Sequence, residues 1–571
     1  MIVGRRNNPE SIRIEGDHKT AIETGRNRLM VAGALFSAAF LLIGVRVIDV
    51  SIFRSDSEPR YTRGVTKHEK NVGRADITDR NGVLLATSLN TASLYANPRL
   101  VLDPEQAAMK LSIVLPDIDV KAIEKKLRSD RGFVWLRRHL TPRQQYAVNR
   151  LGIPALNFQR EERRMYPLGP LASHVLGYTD IDNRGLSGVE RYFDKELRTR
   201  QRNLSLAIDI RAQHVLEQEL GAAMKKFFAI GAAGLIMDVN TGEIVAMSSL
   251  PGFDPNHPGA IAEELRFNRT TLGVYEMGST FKIFTTAMAL DAGTVTLGGG
   301  YDATNPIRVA RFVIRDYHAK KRWLSVPEIF MYSSNIGTVK MALDVGIAGH
   351  RKFLSDLGMM KPVLIELSET GAPLSPNRWR EINTMTISFG HGLAVSPLHL
   401  VAGVSAIVNG GIYRSPTLIK RDTNTPGPGK RIISLETSLK MRRLMRLVVD
   451  KGTGQKAAAP GFLVGGKTGT AEKVSGRGYH RKALISSFVA AFPMNKPRYV
   501  VLAMLEEPKG TKETFGYATG GWVAAPVVGA VVRRIAPVLG LRPVKADEAS
   551  REILAIEVPK KSDRERRVAA H

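Results

Sequence analysis

A chain of 571 residues exceeds one ordinary domain, and at about 150 residues per unit it predicts three or four. With no cysteine it excludes disulfides and thiolate chemistry, and its isolated histidines lack H-E-x-x-H spacing, so His391 and His399 are expected to pack or cap rather than bind metal. The formal net charge of +28 runs from Arg5 to Arg567 with no nucleic-acid motif, which predicts a basic surface near anionic lipid or an anionic polymer and no nucleic-acid partner.

Residues 29–45 are 17 positions without a charge or proline, at the short end of the roughly 17–25 that cross a bilayer. Residues 29–48 are therefore read as a transmembrane anchor. Arg5, Arg6, Arg13, Lys19, Arg26 and Arg28 precede it and favour a cytoplasmic tail at 1–28, although Arg46, Arg54 and Arg60 weaken the asymmetry. The run outlasts a signal-peptide core of about 7–15 residues and no small-residue cleavage site follows, which argues against cleavage. A buried helix is the other alternative. Residues 54–206 are charged, with short β-type runs, and read as an α+β stalk or partner-binding module. A hairpin is expected at 77–85 around Asn81-Gly82, and helices at 106–115 and 120–127. The next unit, at 207–540, opens with a hairpin around Asn240-Thr241-Gly242. A helix is expected over 279–290, closing at Gly293, with Phe281, Phe284, Met288 and Ala292 as its buried stripe. A strand is expected at 463–470, a hairpin from 487–492 and 498–505, and a closing helix at 522–539 with Pro526 near its first turn. The charged tail at 541–571 is expected to be disordered.

Three short elements carry chemistry. Ser279-Thr280-Phe281-Lys282 places a hydroxyl and an amine one helical turn apart, where the positive end of the helix favours developing negative charge. A neutral Lys282 can take the hydroxyl proton if burial or a nearby cation lowers its pKa. S-x-x-K is a weak signal alone, but it occurs once in this sequence. Ser333-Ser334-Asn335 supplies a hydroxyl that can relay a proton and an amide that can hold a peptide backbone. Ser-x-Asn also begins at Ser88 and Ser375; the Ser333 triplet is preferred for its place between the other two elements. Lys467-Thr468-Gly469-Thr470 offers a positive charge, two hydroxyls and a strand-edge N–H that, with the N–H of Ser279, can form an oxyanion hole.

In this order the three elements resemble those of a class B penicillin-binding protein, and the likeness extends over about residues 70–535. Further similar segments are Arg74-Ala75-Asp76-Ile77-Thr78-Asp79-Arg80-Asn81-Gly82, Gly185-Leu186-Ser187-Gly188-Val189-Glu190, Phe253-Asp254-Pro255-Asn256, Gly390-His391-Gly392-Leu393 and Gly452-Thr453-Gly454. The family usually has glycine where this chain has Ala75. The resemblance implies an α/β (α+β) transpeptidase domain of the penicillin-binding and serine β-lactamase-like fold, with a central antiparallel sheet flanked by helices. An elongated α+β pedestal at 54–206, similar to a dimerisation domain, and one transmembrane helix would precede it. It implies Ser279 as acylated nucleophile, Lys282 as general base, Ser333 as proton relay and Asn335 as substrate positioner. Lys467, Thr468 and Thr470, with Gly469 between them, would bind the substrate carboxylate. No cofactor is implied. Implied partners are peptidoglycan stem peptides, β-lactams, membrane lipid, a SEDS-type glycosyltransferase and other divisome proteins. The implied location is the bacterial inner membrane, with one span, a periplasmic catalytic domain and action at the division septum. Asn335, where the elongation branch carries aspartate, makes the chain more similar to the septal, FtsI-type branch. An elongation enzyme, a β-lactam sensor or hydrolase, and a non-catalytic divisome scaffold are the alternatives.

Overall fold

The computed structural model describes residues 17–48, 73–199, 203–309, 312–421, 427–475, 478–543 and 555–556, in two units, Met1–Asn71 and Val72–His571. Residues 1–16 of the expected cytoplasmic tail, and the C-terminal tail apart from 541–543 and 555–556, lie outside the described residues.

In the first unit, helix α1 spans Asp17–Ile48. It starts before the anchor expected at 29–48 because residues 17–28 include no proline, and Glu23, Arg26 and Arg28 are good helix formers. Its stretch Thr24–Arg46, 23 residues, is long and apolar enough to cross a membrane. Leu35, Phe36 and Phe40 are exposed. Apolar side chains bare on every side suit hydrocarbon rather than water, so α1 fits a membrane anchor.

In the second unit, β1 (Ile77–Thr78) and β2 (Leu84–Ala96) pair antiparallel around the expected Asn81-Gly82 turn, with Thr78 opposite Leu84. The Asp79 carboxylate holds the turn, accepting from the N–H of Asn81 at 2.7 Å and of Val83 at 2.8 Å, while Gly82 takes φ +86°. Helices α2 (Pro104–Val114) and α3 (Val120–Leu127) follow. α2 starts earlier than the hydrophobic pattern suggests because Asp103 caps it, accepting from the Gln106 N–H at 2.9 Å, and proline suits a first turn. β3 (Val134–Leu140), β4 (Leu156–Met165) and β5 (Leu204–Ser205) complete a sheet ordered β3-β2-β1-β5, with β4 also on β2. Leu94, Leu111, Ile123, Leu127 and Leu140 form its core with the two helices.

Glu190 is fully buried between two buried guanidinium groups. It accepts from Arg74 Nε at 2.5 Å and from Arg164 Nε at 2.7 Å. Arg164 Nη1 also donates to the Ala75 carbonyl at 2.8 Å. Ala75 keeps a negative φ, so alanine in place of the glycine usual in the family causes no backbone strain.

Helix α4 (Ile210–Lys226) leads into the hairpin of β6 (Gly231–Asp238) and β7 (Ile244–Leu250). Then come α5 (Lys282–Asp291), α6 (Val326–Tyr332), α7 (Asn335–Asp356), α8 (Pro397–Val408) and α9 (Leu435–Lys451). Strands β8 (Gly465–Ser475), β9 (Gly478–Phe492) and β10 (Tyr499–Glu506) precede the last helix, α10 (Gly520–Val538). The sheet is antiparallel in the order β8-β9-β10-β6-β7, with β8 at one edge. Along β10, Val500, Leu502 and Met504 join the core that contains α5 and α8, while Val501, Ala503 and Leu505 join the one that contains α4 and α10. Alternate side chains that are apolar on both faces make this a sheet sandwiched between helices.

Two expectations shift. α10 begins at Gly520, so Pro526 lies inside the helix rather than near its first turn, and its missing N–H withdraws the usual donor from the Trp522 carbonyl. α10 is also long and apolar enough for a membrane, but its packing on the sheet makes it a core helix. α5 is buried from Lys282 to Leu290 rather than along one stripe, and Ala292 is its exposed C-cap, ahead of Gly293 at φ +71°.

Replacing Glu190 by glutamine leaves the buried Arg164 guanidinium without its anion and takes one of two carboxylates from Arg74, which keeps Asp194 at 2.6 Å. Such a loss costs about 3–5 kcal/mol. A thermal melt of Glu190→Gln in detergent is expected to show a large fall in Tm, whereas an exposed control, Glu264→Gln, stays near wild type.

Candidate active site

The tight turn before α5 sets the first element. Gly278–Phe281 is a 3₁₀ turn, so Ser279 sits in that turn and Lys282 is the first residue of α5; the expected single helix from 279 is thus two segments. Gly278 explains the break. It takes φ +54°, and a Cβ there would lie 2.7 Å from the Thr470 carbonyl oxygen. Its N–H donates to the Gly390 carbonyl at 3.1 Å, and a Cβ on Gly390 would come 2.0 Å from the Gly278 oxygen. Glycines at three places let three backbones touch, since a Cβ on Gly469 would in turn meet the Met277 oxygen at 2.8 Å.

That contact orients the edge strand. The Thr470 carbonyl faces Gly278. In an antiparallel strand the N–H of a residue points to the same side as its C=O, so the Thr470 N–H also leaves the free edge of β8 towards the Ser279 turn.

The middle element joins α6 to α7. Ser333 caps α6 in the left-handed region at φ +59°, Ser334 is the N-cap of α7, and Asn335 is its first residue. The turn directs both side chains at Lys282. Its Nζ donates to the Ser333 carbonyl at 2.6 Å and to Asn335 Oδ1 at 2.7 Å, and lies 3.1 Å from Ser333 Oγ. Lys467 Nζ reaches the same hydroxyl from the other side, at 2.9 Å. Both lysines are fully buried, and Ser279 is partly exposed at the edge of this group.

Burial of two like charges has a direct electrostatic consequence. Desolvation first, and then the Lys467 charge, push the Lys282 pKa well below the lysine value of 10.5, against a smaller opposing pull from Asp316. Desolvation lowers Lys467 to about 7, so at neutral pH it is not the fixed positive charge that the sequence suggested. A carboxylate arriving beside it would raise that value and restore the charge.

Thr468 Oγ1 lies 2.9 Å from Thr453 Oγ1, and Thr470 Oγ1 accepts the Gly520 N–H at 3.0 Å. A hydroxyl that accepts keeps its own proton to donate, so Thr470 can still bond a carboxylate. The structure therefore brings Ser279, Lys282, Ser333, Asn335, Lys467, Thr468, Gly469 and Thr470 to one place. His399 caps α8, its Nδ1 lying 2.7 Å from Ser396 Oγ and its Nε2 2.8 Å from the Lys361 oxygen. His391 is half-buried beside this group, and desolvation lowers its pKa to about 4.

Sequence reasoning missed Asp316. Its carboxylate accepts from Ser334 Oγ at 2.7 Å, the Asn335 N–H at 2.6 Å and the Ile336 N–H at 3.0 Å, which fixes the start of α7. Eighteen residues separate it from Ser334, so no local capping pattern marks it. Thr453 was visible only as part of Gly452-Thr453-Gly454, with no sign that it meets Thr468.

A family model described as the penicillin binding protein transpeptidase domain matches residues 232–533, and one described as the penicillin-binding protein dimerisation domain matches 69–219. The chain is 40% identical over 532 residues to a Caulobacter vibrioides protein named "Probable peptidoglycan D,D-transpeptidase FtsI", covering 90% of this chain and 89% of that one. The crystal structure of a peptidoglycan synthetase from Bifidobacterium adolescentis is similar in fold, with a TM-score of 0.65 at 21% identity over 83% of this chain and 96% of that one. The transpeptidase domain of Burkholderia pseudomallei penicillin-binding protein 3 matches at 33% identity and a TM-score of 0.53, over 59% of this chain and 97% of that one.

Gly278→Ala is expected to displace the Ser279 turn. The left-handed conformation alone costs an alanine about 1–2 kcal/mol, and the contact with Thr470 adds to it. Thermal unfolding should show modest destabilisation, while labelling by a fluorescent penicillin falls far more than stability does; unchanged labelling would contradict this geometry.

Proposed function

The chain belongs to the penicillin-binding protein transpeptidase family, and from that premise we propose that it is a membrane-anchored peptidoglycan D,D-transpeptidase of the division septum. The observation that carries the reaction is the pair of buried lysines meeting at one serine hydroxyl.

Ser279 attacks the carbonyl of the D-alanyl-D-alanine bond in a stem peptide. Lys282 accepts its proton, because burial and Lys467 keep the amine neutral. Neutral Lys282 has two N–H donors and one lone pair. The donors suit the Ser333 carbonyl and Asn335 Oδ1, and the lone pair is left for a hydroxyl proton. Ser333, between Lys282 and Lys467, passes a proton on to the departing D-alanine amine. The N–H groups of Ser279 and Thr470 stabilise the tetrahedral oxyanion. Asn335 holds the donor peptide, and Lys467, Thr468 and Thr470 receive its terminal carboxylate, whose arrival charges Lys467. D-alanine leaves, and the amine of a second stem peptide resolves the acyl-enzyme to form the cross-link. A β-lactam imitates the acyl donor and remains on Ser279.

In the cell, α1 holds the chain in the inner membrane with a cytoplasmic N-terminus and the catalytic unit in the periplasm. The pedestal and span engage a SEDS-type glycosyltransferase and other divisome proteins. The septal assignment follows the similarity to the protein named FtsI and the Asn335 position.

Incubation with fluorescent penicillin tests the reaction. Wild type is expected to hold the label, Ser279→Ala to take up none, and Lys282→Met to acylate about 10²–10⁴ times more slowly. Equal labelling of wild type and Ser279→Ala would refute the assignment.

A further inference from the structure

A cationic hairpin borders the middle element. Strands Ile307–Val309 and Phe312–Ile314 pair with Ile307 opposite Ile314 and Arg308 opposite Val313. Ile314 turns inward to a small core with Val339 and Met385. Alternation then puts Arg308, Val313 and, two residues on, Arg315 on the opposite face, and all three are exposed. Tyr317, Lys320 and Lys321 follow, also exposed.

This face adjoins the reaction centre. The Arg315 carbonyl accepts from Asn335 Nδ2 at 2.8 Å, on the far side of that amide from Lys282. Lys320 Nζ lies 4.5 Å from the ring centre of Tyr332, the neighbour of Ser333. The carboxylate nearest in sequence, Asp316, is turned inward to cap α7, and Arg322 is paired with Glu328. Arg308, Arg315, Lys320 and Lys321 have no ion-pair partner among the described residues, unlike Arg128, Lys352 or Lys430, which meet carboxylates on the same chain.

We infer that this hairpin face is a subsite for a carboxylate on the acyl-donor peptide, upstream of the bond that Ser279 breaks. The inference rests on the transpeptidase reading and adds a selectivity to it. Guanidinium and ammonium groups in a partly open setting attract a carboxylate modestly and through a salt-screened field. The expected contribution is therefore a preference among donors, separate from the acylation machinery.

The test compares two synthetic peptide thioesters ending in a D-alanyl thioester, identical except that one bears a free side-chain carboxylate upstream and the other its carboxamide. Full-length wild type is expected to be acylated about tenfold faster by the carboxylate donor at low salt, equivalent to about 1.4 kcal/mol, with the ratio shrinking as salt is added. The triple variant Arg308→Gln/Arg315→Gln/Lys320→Gln should lose that ratio while keeping its rates with the carboxamide donor and with penicillin. Equal wild-type rates for the two donors, or a ratio that survives in the variant, would overturn the subsite alone. Failure of both donors to acylate Ser279 would overturn the transpeptidase reading and the subsite with it.

Discussion

Two lysines, each closed off from water, share one partly exposed serine hydroxyl, and the rest of the site is arranged around that constraint. Nζ of Lys282 and of Lys467 stand 3.1 Å and 2.9 Å from Ser333 Oγ, and neither side chain is exposed. Two ammonium ions cannot be held this way cheaply, because each loses its hydration and each repels the other. Both effects shift Lys282, which faces three polar neighbours, towards the neutral amine. Lys467 is left near its midpoint at neutral pH, ready to be charged by an incoming anion.

The fold exists to hold those groups at fixed distances. Ser333 and Asn335 are separated only by a helix N-cap, and Asp316 ties that cap down with three hydrogen bonds. Lys467 belongs to the edge strand of a sheet that is packed on both faces. Ser279 is pressed against this edge by glycine contacts at 278, 390 and 469 that no larger residue could make. Rigid elements thus fix the basic groups and the edge N–H, and one tight turn presents the hydroxyl.

Much of this was legible in the sequence. The hairpins at Asn81-Gly82 and Asn240-Thr241-Gly242 follow from turn chemistry, and Ser279, Lys282, Ser333, Asn335 and Lys467 to Thr470 were identifiable from residue type and order. What escaped depends on contacts across the chain. Asp316 lies in a segment with no motif, and its capping role appears only when the hairpin folds back on α7. The 3₁₀ turn at Ser279 is set by Gly278 meeting Thr470, a tertiary contact that helical periodicity does not carry. The pattern around α5 also misled, since a helix buried on all sides has no distinctive polar face to mark its register. Lys467 was read as a positive charge because the sequence records the residue and not its burial.

The mechanism requires that the fold, not the substrate, make Lys282 neutral. It is tested most directly by NMR titration of the Lys282 and Lys467 side chains in the free protein, labelled at Cε and Nζ and assigned with single lysine variants. Lys282 is expected to show the neutral amine signature at neutral pH, and Lys467 to titrate near 7, far below the ordinary 10.5. Both residues titrating near 10.5 would contradict the account.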